Sequence, residues 1–481
     1  MAARGQGEGV GTEGYQVPFE VLDLSYTEAL QTLRAACKFG IQPMLETVVD
    51  MLAELGDPDL SFRSLQIAGT NGKTSTSRYA AAILRGQGLR VALYTSPELV
   101  SLTERMEVDG VPVSEGTFAR GVAAAAEAGR RVNVRRRASG ERPYDVTQFD
   151  ILTVAACVAF AQADVDVAVL ECGMGGRWDA TSAVKSIEAV AVTGVGLDHT
   201  RILGDTLEAI AGEKAAIIRC GQSCVLGVGT ATPDSVEDVF LDRCRSQDVT
   251  PVLLRPERLE DAAGEMHAGV PRRHASLLRA SYRITSRPRC LGAPLELTVR
   301  TPRRAYTGLT ALKPSYQAAN IACAVTLTEA FLDGELDGDR LLKSVRQCPT
   351  PGRFSLLRPN PPVLVDACHN PQSVDAFLAA LQDIAPDPAT RPPLLCAVLA
   401  DKDVGGIVSR LARAFPAVVC TQTSSSRSLG ADELVRRFLA AGAKVTGSYG
   451  SVAAALASMS AGPLVGCGSI TLAGALAALL A

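Results

Sequence analysis

The sequence predicts an α/β protein in two unequal parts, a larger domain on a parallel sheet and a smaller α/β domain behind it. Three observations carry that expectation. Four apolar runs between residues 64 and 196 (SLQIAG, RVALYTS, VDVAVLECG and IEAVAVTGVG) end in Gly or Ser and alternate with helical stretches. Near-continuous Val, Ala and Leu suit strands covered on both faces, the condition of a parallel sheet. The alternation restarts beyond residue 350 in PPVLVDA, PLLCAVLA, AVVCTQT, KVTGSYG and PLVGCGS, and between the two blocks QCPTPGR gathers Pro349, Pro351 and Gly352 into a hinge-like interruption.

Taken in order, the N-terminus (MAARGQGEGVGTEGY) is Gly-rich and polar, with no apolar segment that would make it a signal peptide. Residues 1–20 are expected to form a disordered tail. The first domain spans residues 21–348. Within it, residues 252–305 are polar, Arg-rich and less periodic, and read as a peripheral antiparallel element or loop with a solvated charged face. SYQAANIACAVTLTEAFL follows as a helix. The second domain spans residues 349–481, about 130 residues and an ordinary domain size.

Bulk properties exclude several classes. The chain has 481 residues, 47% of them hydrophobic, with a formal net charge of -3, which is ample for two or three cores. With no basic block, one Trp and 5% aromatic residues, it lacks the footprint of a nucleic-acid binder. The 13 cysteines are scattered without C-x-x-C spacing, so free thiols in a reducing, cytoplasmic setting are expected. Apolar runs are too short for a membrane span. Nothing resembles a coiled coil, and a monomer is expected.

The first chemical signal is Gly69-Thr70-Asn71-Gly72-Lys73-Thr74, between the strand-like SLQIA and the helical TSTSRYAAAIL. A Gly-rich turn at a helix start aims backbone N–H groups at a phosphate, and the helix dipole favours the negative charge. Lys73 can reach terminal phosphates, and the Thr74 hydroxyl can bond phosphate or metal. The usual Walker loop has Gly where Ile67 stands, so this is a shortened variant. The plainer alternative is a Gly-rich turn beside a surface lysine. The second signal is Glu171 at the end of VDVAVLE and Asp198-His199 after VAVTGVGL, a carboxylate and an imidazole at neighbouring strand ends. Together they can share a divalent cation facing the loop, although Mg²⁺ prefers oxygen ligands.

The series GTNGKTS, TSPELVSLTERMEVDG, LECGMGGRWDATS, GLDHTRILGDTLEAIAGEKAAIIR, YQAANIACAV, PGRF, VDACHNP and CGSITLAGAL resembles folylpolyglutamate synthase/dihydrofolate synthase of the Mur ligase superfamily. The resemblance covers about residues 35–480 with the motifs in the family's order. It implies a P-loop-type parallel-sheet ATPase domain, the ATP-binding Mur-ligase-type central domain, followed by a smaller Rossmann-like glutamate-ligase domain. The activity implied is ATP-dependent addition of L-glutamate to dihydropteroate or reduced folates through an acyl-phosphate, a step of folate and one-carbon metabolism. Gly69, Asn71, Gly72, Lys73, Thr74, Ser75, Asn320, Arg353 and Asp366 match positions that hold ATP. Ser96, Glu171 and His199 match magnesium ligands, with Lys214, which the family carbamylates. Thr147, Phe149 and Asp179 match positions around the pterin. His369, Asn370 and Arg427 fall on the amino-acid side, and Lys402 on the same face. Lys73, Lys214 and His369 carry the implied catalytic roles.

The pattern is broken in four places. Glu98 stands where the family has His, setting an anion beside a proposed metal ligand. Thr74 and Ala367 replace glycines, and Asp150 replaces Glu. Two other functions fit the same residues: a superfamily ligase for a different acid or amino acid, and a nucleotide-regulated binding protein on a ligase scaffold. Lys73, Glu171, His199 and Lys214 occurring together favour an enzyme.

Overall fold

The computed structural model describes residues 14–36, 44–257, 277–459 and 462–481. Among the described residues, eleven strands form the first sheet. In chain order they are β1 Arg63–Ala68, β2 Val91–Tyr94, β3 Met106–Val108, β4 Val111–Pro112, β5 Val167–Glu171 and β6 Ile187–Gly194. Then come β7 Ser223–Gly229, β8 Val252–Pro256, β9 Leu278–Ser286, β10 Leu295–Arg300 and β11 Ala305–Ala311. Their spatial order is β11-β10-β9-β8-β7-β6-β1-β5-β2-β3-β4. The run from β9 to β2 is parallel, and antiparallel strands extend it at both ends. Each of the four apolar runs of the first block is a parallel strand.

Both faces of this sheet are buried, which explains the continuous apolar runs. Leu65 and Ile67 face the helices Lys73–Gly86 and Gln317–Leu332, packing with Tyr79, Ile83, Ile321 and Val325. The alternate residue Ala68 faces the helices Glu115–Ala138 and Gln148–Gln162, with Phe118, Leu152 and Phe160. Gln66 shares that second face and is the polar exception. Its amide donates to Thr181 Oγ1 at 2.9 Å and Ser182 Oγ at 2.8 Å, so the buried group is satisfied. Those bonds pin the loop after β5 beneath the end of β1.

The second sheet contains β12 Ser355–Pro359, β13 Pro362–Asp366, β14 Leu394–Cys396, β15 Val418–Thr421, β16 Val445–Tyr449 and β17 Leu464–Cys467. Its order is β12-β13-β17-β14-β15-β16, and only the β12–β13 pair is antiparallel. All five apolar runs of the second block are strands here. The chain leaves β13 into the helix Pro371–Ile384 and returns to β14 with β17 between them. Such a switch leaves a crevice at the carboxyl ends of the strands.

Two expectations need correction. Residues 14–20 are not tail: Tyr15, Val17 and Phe19 pack on the first core, and the Tyr15 hydroxyl donates to Leu55 O at 2.8 Å. Three large apolar side chains outweigh the entropy of that short stretch; residues 1–13 lie outside the described residues. The 252–305 segment does hold antiparallel strands, but β8 and β9 continue the parallel sheet because Val252, Leu253 and Leu254 are buried. Residues 258–276 of it lie outside the described residues. No helix among the described residues is long and apolar enough to cross a membrane.

Candidate active site

The phosphate loop forms the turn between β1 and the helix Lys73–Gly86, with Gly72 as its N-cap at φ +88°. A Cβ on Gly72 would lie 2.5 Å from Asn320 Oδ1, so both conformation and space require glycine. Gly72→Ala is therefore expected to destabilise the chain by roughly 1–3 kcal/mol and to weaken nucleotide binding, measured by urea unfolding and ADP titration. A melt and an ADP affinity both equal to wild type would refute that strain. The loop is braced from β6: Thr193 Oγ1 donates to Asn71 O at 2.6 Å, and Gly196 N donates to Thr70 Oγ1 at 3.0 Å. Lys73 Nζ folds back onto Gly69 O at 3.0 Å and Thr70 O at 3.3 Å.

Glu171 ends β5 in register with Ile67 of β1, so the sheet itself places a carboxylate beside the loop. It is buried and accepts Thr74 Oγ1–H at 2.8 Å and, at longer range, Ser96 N–H at 3.4 Å. Burial pushes its carboxyl up, and the charges of Lys73 and Arg353 with the Thr74 and Ser96 bonds pull the other way. A buried carboxylate with no cation bonded to it suits a metal. His199 begins the short helix Thr200–Leu203 at φ +52°. Burial lowers its imidazole to about 4, with Lys402 and Lys73 also opposing the charge, so its lone pair is free at neutral pH. Among the described residues, no three His, Cys, Asp or Glu side chains form a cage. A magnesium site here would rest on Glu171, His199, the hydroxyls of Thr74 and Ser96, phosphate and water, a set that suits this hydrated cation.

Lys214, on the helix Leu207–Ala215, is 3% exposed. Burial and the charge of Lys73 lower its ammonium to about 7. Among the described residues it makes no ion pair, and at that value a substantial fraction of the amine is neutral at physiological pH.

The second domain reaches this centre directly. Asn370 caps the helix Pro371–Ile384, and its amide donates to Asn71 Oδ1 at 3.1 Å. Asn71 in turn donates to Gln372 Oε1 at 2.8 Å. Asp198 of the first domain takes Lys402 Nζ at 2.6 Å, with His369 Nε2 at 3.7 Å. Burial opposes its charge, but His369 and Lys402 outweigh that and hold Asp198 far below the usual carboxylate range. His369 Nδ1 lies 2.9 Å from Ala367 O, which fixes the ring. Asp366, buried at the end of β13, accepts Tyr316 OH at 2.7 Å, Phe354 N at 2.9 Å and Cys368 N at 2.9 Å. Burial raises its carboxyl, and Arg353 acts against that rise. Arg353 bears electrostatically on Glu171 too, so one guanidinium serves both halves. Asn320 donates to Gln317 Oε1 at 2.8 Å, and Gln317 donates to the Ser75 hydroxyl at 3.1 Å.

The remaining sequence candidates have local tasks. Thr147 caps the helix Gln148–Gln162 in a reciprocal box with Asp150, so the shorter acid suffices there. Phe149 lies 6.0 Å from the Tyr94 ring and packs on Gly173. The Asp179 carboxylate is buried and taken up by Met174 N at 2.8 Å, Thr181 N at 3.1 Å and Thr181 Oγ1 at 2.6 Å. It shapes the loop after β5. Arg427 pairs through Nε with Asp401 Oδ1 at 3.1 Å, beside Lys402 but at the surface. Glu98 is paired with Arg105 Nε at 2.6 Å, so the anion that replaces the family's His is neutralised in place. Ala367 has no positive φ, and its Cβ is tolerated. Sequence reasoning missed Thr193, Tyr316 and Gln372, single polar residues whose spacing carries no signal.

The arrangement is that of an ATP-dependent amide ligase of the Mur type, with a phosphate loop on one domain and the second domain closed onto it through Asn370 and Lys402. Residues 67–226 match the model of the Mur ligase middle domain, and residues 352–467 that of the Mur ligase glutamate ligase domain. The chain is 33% identical to the dihydrofolate synthase/folylpolyglutamate synthase of Mycobacterium tuberculosis, over 90% of this chain and 84% of that protein. It is 28% identical to the Bacillus subtilis protein of the same name, over 80% and 83%. Its fold matches Mycobacterium tuberculosis folylpolyglutamate synthase complexed with ADP and AMPPCP at a TM-score of 0.81 and 28% identity, covering 95% and 98% of the two chains. The chain belongs to the folylpolyglutamate synthase/dihydrofolate synthase family.

Proposed function

We propose that this ligase joins L-glutamate to dihydropteroate or a reduced folate, using ATP and releasing ADP and phosphate. The observation that carries the reading is the closure of the second domain over the phosphate loop, through Asn71–Asn370 and Asp198–Lys402. A carboxylate oxygen of the acceptor attacks the γ-phosphorus and ADP leaves, forming an acyl-phosphate. Lys73, released from its two loop carbonyls, neutralises the transferring charge. Glu171, His199 and the hydroxyls of Ser96 and Thr74 would hold a magnesium ion, which would add positive charge beside the phosphate oxygens. Arg353 and Asp366 hold the nucleotide from the second domain. Thr147, Phe149 and Asp179 shape the pterin side. The closed interface keeps water from the acyl-phosphate. The glutamate amine enters beside His369, Asn370 and Arg427, next to the Asp198–Lys402 ion pair that joins the two domains. Lys214 is carbamylated in the working enzyme.

The test is phosphate release from purified protein with ATP, Mg²⁺ and L-glutamate, adding dihydropteroate or tetrahydrofolate in parallel. Turnover that requires glutamate together with one of these acids is expected. ATP binding with no turnover on either acid would overturn the folate assignment and leave only the ligase class.

A further inference from the structure

The segment 95–105, between β2 and β3, runs from the catalytic centre to the second domain and back. Thr95 N donates to Arg105 O at 3.0 Å and closes its base. At its start the Ser96 amide reaches Glu171 Oε2 at 3.4 Å. Three residues on, Leu99 leaves the first domain's cores and packs on the second domain's apolar cluster, which includes Val365, Ala367, Leu472 and Ala473. The turn around it is stiff. The Glu104 carboxylate accepts the amides of Leu99 at 2.9 Å, Val100 at 3.2 Å and Ser101 at 3.0 Å.

Two glycines of the second domain make room for Leu99. Gly474 lies inside the helix Ile470–Leu480, where glycine weakens a helix relative to alanine, so its use there needs a reason. A Cβ on Gly474 would lie 2.0 Å from Leu99 O and 3.0 Å from Leu99 C, and its three nearest atoms would all be Leu99 backbone. The Leu99 side chain meets the hinge, where a Cβ on Gly352 would lie 3.1 Å from Leu99 Cδ1. Gly352 adjoins Arg353, whose charge bears on both Glu171 and Asp366. One leucine therefore sits against the second domain beside Arg353, while its own chain, three residues back, reaches Glu171.

We propose that Leu99 is a positioning residue: its seat against Gly474 and Gly352 makes the placement of Ser96 at Glu171 depend on docking of the second domain. The catalytic centre is then complete only when the domains are closed, which is also when water is kept from the acyl-phosphate. The seat stands on the geometry alone; its effect on the reaction rests on the ligase reading above, whichever acid is the acceptor.

Gly474→Ala in the full-length protein sets a methyl against the Leu99 carbonyl, while alanine favours the helix that carries it. Hydrogen exchange at the Leu99, Val100 and Ser101 amides should quicken by about tenfold or more, although the substitution is in the other domain. In parallel, phosphate and amide product are counted with ATP, Mg²⁺, L-glutamate and either dihydropteroate or tetrahydrofolate. Where closure is loosened, water attacks the acyl carbon of the intermediate, the C–O bond to phosphate breaks, and the free acid returns. Phosphate released per amide formed should therefore rise from about one in wild type to about two or more in Gly474→Ala. Melting curves check folding, and Leu99→Ala, which empties the seat, decides if Gly474→Ala does not fold. Exchange equal to wild type in the folded variant would overturn the seat. Faster exchange with an unchanged ratio would overturn the positioning role. Wild type that turns over neither acid defeats the acceptor reading instead, and the exchange result still decides the seat.

Discussion

Lys73→Ala is expected to cut ADP formation by about a thousandfold or more while the melting temperature stays within a few degrees of wild type. The two halves of that result come from the same geometry. In the structure the Lys73 ammonium bonds only to two carbonyls of its own loop, so its loss removes little that holds the fold. Its charge also heads the influences that oppose the burial cost of Glu171, ahead of the Thr74 and Ser96 bonds and Arg353. Steady-state ADP release with saturating acceptor and glutamate measures the first half, and calorimetric melting the second. A variant retaining a tenth of the activity would remove Lys73 from the phosphate-transfer role. Glu171→Gln separates the partners: it keeps the Thr74 bond but removes the charge, so ADP formation should fall with nucleotide affinity largely kept.

Lys214→Ala is expected to be nearly inactive, for a different reason. With its amine lowered to about 7, a large fraction is neutral at physiological pH and can attack carbon dioxide. The new N–C bond makes a carbamate, and the nitrogen releases a proton. Lys73, whose field opposes an ammonium at this position, favours the resulting anion. Wild-type protein depleted of carbon dioxide should lose activity and regain it with bicarbonate, whereas Lys214→Ala should not respond. An unchanged rate in Lys214→Ala would remove the carbamate from the mechanism.

The same shift has a stability signature with a definite sign. The folded-state value near 7 lies below the usual 10.5, so between these values the unfolded chain binds the extra proton. Stability therefore rises with pH through that window, and the cost of the buried cation is full below about 7. Lys214→Met should raise the melting temperature most at pH 6 and hardly at all at pH 10.5. Equal effects at both would show that the amine is not desolvated.

Much of this protein was legible in one dimension because the relevant interactions are local. Apolar runs covered on both faces specify parallel strands whatever their neighbours, so all nine expected strands are present. The loop Gly69–Thr74 is readable because strand, Gly-rich turn and helix are contiguous and positive φ leaves a residue-type signature. Glu171 and His199 were visible as polar residues at strand ends. The family resemblance added Lys214, Arg353 and Asp366, which composition alone does not mark. The tail was misjudged at residues 14–20 because their partners, among them Leu55, lie forty residues away.

What only the tertiary structure decided is which charges meet. Glu98 looked like an anion near a metal until Arg105 was found 2.6 Å away. Asp198 acquired meaning when Lys402, 204 residues further on, closed onto it at 2.6 Å. Strands and turns follow from short-range sterics and hydrophobic periodicity, which the sequence by itself determines. Electrostatic pairing and burial depend on distances between residues remote in the chain, and those exist only once both sheets have formed and docked.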